Sequence, residues 1–215
     1  AGSEFLIPIL NFAGAPSTNV QPPDTVGEVG PNHYVQMVNA TGGTEVRIYD
    51  KSGTLVSGPT NLDTLGSGNC ADGLGDPIVL YDQMADRWLF TEFSGSGNDL
   101  CVYVSQTPDP TGAFFFYSFV APSFPDYPKY AVWPDAYYVT SNESGPSPVY
   151  ALDRTQMLTG AAATSIRLSA PNLAGFGFQA LTPADLDGAT PPPVNSPAVI
   201  MRHRDDEAHN VGSNN

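Results

Sequence analysis

Short apolar runs alternate with turn residues along the whole chain, and they recur in a fixed order. Three stretches share one plan: DTVGEVGPNHYVQMVN from Asp24, DPIVLYDQMADRWLFTEF from Asp76 and DYPKYAVWPDAYYVTSN from Asp126. Each opens on an Asp, passes a short apolar segment and a turn (Pro-Asn, Asp-Gln-Met-Ala-Asp or Pro-Asp), and enters a strand led by Tyr34, Trp88 or Tyr137. The Asp-to-Asp steps are 52 and 50 residues. Two more candidate strands follow each aromatic one: TEVRIYD and GTLVSGP, then DLCVYVS and AFFFYSFV, then SPVYALD and TSIRLSA. A fourth, poorer copy begins at Asp185 and reaches PAVIMRH at 197–203.

Four short strands in about 50 residues make the pattern of a β-propeller blade. The predicted fold is therefore all-β, a propeller of four-stranded blades at about 24–70, 71–122 and 123–172, with a partial blade at 173–209. A β-sandwich would need comparable strands but predicts no repeat, because its core comes from two different sheets. Helix is expected only as a short turn in RTQML, with Asp153 placed to cap it and Gly160 to end it. Closed propellers take about 4–8 blades, so these repeats predict an incomplete ring. Its remaining C-terminal blades would form a partner fragment, and FLIPILNFAG at 5–14 would pair with strands of that part. Residues 1–5 read as a cloning scar, Gly2-Ser3-Glu4-Phe5 being what adjacent cloning sites encode, and 210–215 as a flexible tail.

Composition agrees with this picture and narrows the partners. The chain has 21 Gly and 21 Pro in 215 residues and only 14% charged residues, against about 25% in an average domain. With 8 basic against 22 acidic side chains and a net charge of −14, it lacks the Lys/Arg clusters that a phosphate backbone requires, so nucleic acid is excluded as a partner class. No apolar run approaches the length of a membrane-spanning helix. Cys70 and Cys101 lie in a Lys-poor chain rich in Asn, Ser, Thr, Gly and Tyr, which suits a secreted or periplasmic protein in which they form a disulfide. The alternative is two unpaired buried thiols.

The stretches PPDTVGEVGPNHYVQMVN, GDPIVLYDQMADRWLFTEF, FPDYPKYAVWPDAYYVTSN and MRHRDDEAH resemble those of a family of secreted bacterial β-propeller proteins, most of them uncharacterised. The resemblance covers nearly the whole chain after residue 5. It implies the fold and export, and carries no reaction.

The candidate chemistry is acidic. If the segment after each repeated Asp is the innermost strand of its blade, Asp24, Asp76 and Asp126 approach one another at one mouth of the central channel. Converging carboxylates repel unless a cation or hydrogen bonds compensate them. They would form a Ca²⁺ or substrate site, or else each would cap its own turn. Asp72 and Asp76 in the loop NCADGLGD, and Asp185 and Asp187 in DLDG, are further metal candidates, although neither loop completes an EF-hand. The run from Arg204 to His209 mixes metal-ligand types, but its leading reading is a solvated loop.

Elbow, zincin, C-x-x-C and phosphate-loop motifs are absent, and His33, His203 and His209 read as surface or packing residues. Carboxylate-pair catalysis on polysaccharides remains open, with Asp76, Asp126, Glu92 and Glu143 as candidates and Tyr81, Arg87, Trp88 and Lys129 as sugar contacts. The leading expectation is an extracellular, calcium-stabilised binding or scaffold module for a glycan or protein. The alternative is a polysaccharide-cleaving hydrolase or lyase.

Overall fold

A computed structural model describes residues 9–174, 179–188 and 190–202. The chain is all-β. Three four-stranded antiparallel meanders follow one another in sequence order. Sheet 1 contains β1 (Val26–Val29), β2 (His33–Ala40), β3 (Gly43–Asp50) and β4 (Leu55–Asn61). Sheet 2 contains β5 (Gly73–Asp82), β6 (Arg87–Ser94), β7 (Asp99–Ser105) and β8 (Phe114–Val120). Sheet 3 contains β9 (Asp126–Val132), β10 (Tyr137–Asn142), β11 (Pro148–Leu152) and β12 (Ser165–Ser169). A two-stranded sheet pairs β13 (Thr182–Pro183) with β14 (Ile200–Met201).

The aromatic residues that mark the repeat hold one register position: Tyr34 faces Val29, Trp88 faces Tyr81 and Tyr137 faces Val132 across the first hairpin of each sheet. The first strands of successive sheets are spatial neighbours, β1 beside β5, β5 beside β9 and β9 beside β13. The poorer fourth copy differs from expectation. Its first strand precedes Asp185, and the Asp185 carboxylate accepts the Val132 N–H at 2.6 Å, tying that segment to β9.

Sheet 2 is the middle layer, with both faces covered. Side chains alternate along its inner strands, so Trp88, Phe90, Cys101 and Tyr103 enter the core shared with sheet 1, while Leu89, Leu100, Val102 and Val104 enter the core shared with sheet 3. Burial on both faces explains why DLCVYVS reads as an almost unbroken apolar run. The Cys70–Cys101 disulfide, with Cα atoms 5.7 Å apart, fastens the 3-10 turn Gly68–Ala71 to β7. α1 (Arg154–Met157) is capped by the Asp153 side chain, which accepts the Gln156 N–H, and Gly160 with φ +74° follows it. Of the expected pairing segment at 5–14, residues 9–14 form no strand; the Phe12 ring packs instead on Tyr34 and Tyr49. Residues 1–5 and 210–215, His203, and the Arg204–His209 run lie outside the described residues. No helix of the described residues is long and apolar enough to cross a membrane.

Candidate functional site

A cleft of about 230 Å³ opens where the first strands of the three sheets begin. Its lining is three tripeptides, Asp24-Thr25-Val26, Asp76-Pro77-Ile78 and Tyr127-Pro128-Lys129. They are equivalent by register, because Val26, Ile78 and Lys129 pair with Met37, Thr91 and Thr140, each the third residue after the repeat aromatic. In β5 and β9 one extra residue bulges out just before this position, between Gly75 and Ile78 and between Asp126 and Lys129. The leading residue of each tripeptide has a left-handed backbone, with φ +39° at Asp24, +50° at Asp76 and +53° at Tyr127. Asp enters that region far more readily than Tyr does.

The third equivalent of Asp24 and Asp76 is therefore Tyr127, not Asp126. Asp126 sits one residue earlier, opposite Asn142, and is exposed at the margin of the cleft. In register Asp126 corresponds to Gly75, so matching the repeats by residue type, Asp to Asp, lands one position early.

Asn39 on β2 positions both aspartates. Its Nδ2 donates to Asp24 Oδ2 at 3.0 Å and to the Pro22 carbonyl at 3.1 Å, while its Oδ1 accepts the Asp76 N–H at 2.9 Å. Gly75, with φ +105°, gives the carboxamide room, since a Cβ there would lie 2.3 Å from Asn39 Oδ1. The Asp24 and Asp76 carboxyl groups lie within hydrogen-bond reach of one another. Burial, that contact, and the charges of Asp24 and Asp126 push Asp76 up to about 6, with Lys129 acting in the opposite sense. Burial holds Lys129 below its ordinary value although Asp76, Asp24 and Asp126 favour its charged form. Its ammonium lies 3.5 Å over the Tyr127 ring, which is 47% exposed. The cleft thus offers an acid that can hold a proton, a carboxylate, an ammonium and an aromatic face.

The other expected site residues lie elsewhere. Trp88 and Tyr81 are core side chains: the Trp88 indole N–H donates to the Pro108 carbonyl at 3.0 Å and the Tyr81 hydroxyl donates to Asp86. Arg87 holds its own turn through the Ala85 and Asp86 carbonyls. Trp88 and Tyr81 fill the core between covered sheet faces and Arg87 is committed to its own turn, so these three stand outside the cleft. Glu143 is buried and bound by Ser141 Oγ, Tyr150 OH and Arg167 at 2.6–2.9 Å, which makes it a structural anchor of sheet 3. Glu92 is buried between sheets 1 and 2, outside the cleft. Asp72 and Asp187 are exposed, and His33 begins β2 at the end opposite Asn39. Among the described residues no three His, Cys, Asp or Glu side chains gather as a metal-holding group, so the six expected metal ligands do not form one.

Asn39 and Tyr127 escaped the sequence reading. The only local signal was Pro77 and Pro128, which follow Asp76 and Tyr127 at equivalent positions. Comparison of the chain with protein-family models, curated proteins and solved structures gives no match in any of the three.

Proposed function

We propose that the chain is an exported binding module of propeller type that takes a glycan in the Asp24–Asp76–Lys129 cleft. The observation that carries this reading is the convergence of three register-equivalent tripeptides, one from each sheet, on a single concavity. A sugar presents hydroxyls that both donate and accept, and a flat C–H face. The acid pair and ammonium match the former, and the exposed Tyr127 ring matches the latter. The meander sheets with neighbouring first strands support the propeller reading, and the disulfide supports export. Calorimetric titration with neutral and acidic oligosaccharides tests the proposal. Binding that is lost in Tyr127→Ala and weakened at least about tenfold in Asp76→Asn supports it; equal binding in all three proteins rejects it.

The raised Asp76 gives a second reading, polysaccharide cleavage with Asp76 as proton donor. Carboxyl groups in hydrogen-bond reach are closer than the about 5–5.5 Å that a retaining acid/nucleophile pair requires, so this reading needs a second carboxylate, and Asp126 is the nearest candidate on the cleft margin. Release of reducing ends that disappears in both Asp76→Asn and Asp126→Asn would place it first.

A further inference from the structure

Sheets 1 and 2 meet their following sheets in the same register, but the two gaps are filled differently at their outer ends. Val35 and Leu89, the residues after Tyr34 and Trp88, face Ile48 and Val104 on the third strand of each sheet. In sheet 2 the fourth strand then sets Phe115 opposite Val104 and Tyr117 opposite Val102. In sheet 1 the matching positions, opposite Ile48 and Val46, hold Ser57 and Thr60. The gap between sheets 2 and 3 is thus closed by two rings. Phe115 lies against Gly160, where a Cβ would stand 2.3 Å from the ring, and Tyr117 directs its hydroxyl at the Met157 and Ala161 carbonyls, 3.2 and 3.1 Å away. α1, in the β11–β12 link, adds the fully buried Met157. The gap between sheets 1 and 2 has small hydroxyl residues instead of the rings, and the corresponding β7–β8 link at 106–113 contains no helix.

A pocket of about 120 Å³ remains open there. Its walls are the buried Val46, Ile48 and Phe90, and Leu62 from the 3-10 turn Leu62–Leu65, with the Phe114 ring 4.8 Å from that of Phe90. Ser57, Thr60, Thr64 and Thr111 add hydroxyls, the three threonines being exposed. Thr64 and Thr111 already donate at 2.7 Å, to the Asn61 carbonyl and the Asp109 carboxylate, so their oxygens have acceptor lone pairs left to offer. An apolar cavity of about 150 Å³ lined by Leu, Ile and Phe is known to take benzene, so the pocket matches a single aromatic ring. Toward sheet 3 the equivalent position holds that chemistry in covalent form, as a tyrosine ring whose hydroxyl reaches carbonyl oxygens. We propose that the pocket between sheets 1 and 2 binds a monocyclic phenol, its ring against Leu62, Phe90 and Phe114 and its hydroxyl donating to a threonine oxygen. The site is separate from the glycan cleft, which is built from the first strands of the sheets.

Titration of the whole chain with phenol, followed through the methyl NMR signals of Val46, Ile48 and Leu62, tests the site. Saturable shifts with a Kd of about 1 mM are expected. Thr60→Tyr places at the register-equivalent position the ring that Tyr117 supplies, and Ser57→Phe does the same for Phe115. Each should weaken phenol binding at least about tenfold. A wild type with no saturable shift up to about 20 mM phenol overturns the proposal, and binding undiminished in both variants overturns it in favour of another site. Should either variant fail to fold, wild-type crystals soaked in 4-bromophenol decide. An anomalous bromine peak in the pocket beside Phe90 upholds the site, and bromine found only elsewhere, or nowhere, rejects it.

Discussion

The two interfaces of sheet 2 each bury a carboxylate, and they compensate it differently. Toward sheet 3, Asp82 is fully buried and receives the Arg154 guanidinium at 2.7 and 3.0 Å, the Tyr137 hydroxyl at 2.9 Å and the Ala85 N–H at 3.0 Å. Toward sheet 1, Glu92 is as deeply buried but faces a second acid and a hydroxyl. Burial and Asp63 push Glu92 up to about 9. At one interface the cation is encoded in the chain. At the other, burial beside Asp63 favours the protonated acid, so the same residue class is matched by a guanidinium at one interface and by a proton at the other.

The sharpest way to break this contrast is to remove the encoded cation. Arg154→Met leaves Asp82 buried and unpaired and should cost about 3–5 kcal/mol in urea unfolding at pH 7. Glu92→Gln should change stability by less than about 1 kcal/mol, because an amide replaces an already neutral acid. Equal losses in the two variants would mean that the interfaces do not differ as described.

Next in size is the covalent clamp of the sheet 1 interface. The paired variant Cys70→Ser/Cys101→Ser opens a loop of about 30 residues and should lower stability by about 3 kcal/mol. Non-reducing mass spectrometry of the wild type should find no free thiol.

The cleft supplies smaller effects. Gly75→Ala puts a Cβ into the Asn39 carboxamide at a φ of +105° and should cost about 1–3 kcal/mol. It should also impair the proposed glycan binding, since Asn39 orients Asp24 and Asp76. The smallest effect is a pH dependence. Asp76 holds its proton more tightly in the folded chain, at about 6, than at its ordinary 3.8. Its stabilising contribution is therefore complete below about pH 4 and is lost as pH rises to about 6. Relative to Asp76→Asn, the wild type should lose about 1 kcal/mol across that window, solvent screening of a half-exposed carboxyl limiting the size. Parallel stability profiles for the two proteins would contradict the acid pair.

The all-β class, the strand triplets after each aromatic residue, the capped turn at Asp153 and the cysteine pairing were legible along the chain. Each rests on local periodicity, turn chemistry, or the expectation that two cysteines in a Lys-poor chain pair with one another. The candidate site was half legible. Asp24, Asp76 and Lys129 were named from sequence, but Tyr127 was passed over for Asp126 because the repeats were matched by residue type, and the hairpin register that makes Tyr127 the equivalent of Asp76 leaves no compositional mark. Trp88 and Tyr81 read as ligand contacts from their type alone, and only the covering of both faces of sheet 2 assigned them to the core.

What the sequence determined by itself is the repeat, because one four-stranded unit of alternating strands and turns is written within about 50 consecutive residues. What only the tertiary structure decided is which acids meet. Asn39 reaches Asp76 across 37 residues and Arg154 reaches Asp82 across 72. Asp63 and Glu92 come from different elements at the edge of a shared core. Those encounters depend on how whole sheets stack, and the burial they create sets the charge of each group, which no local pattern can encode.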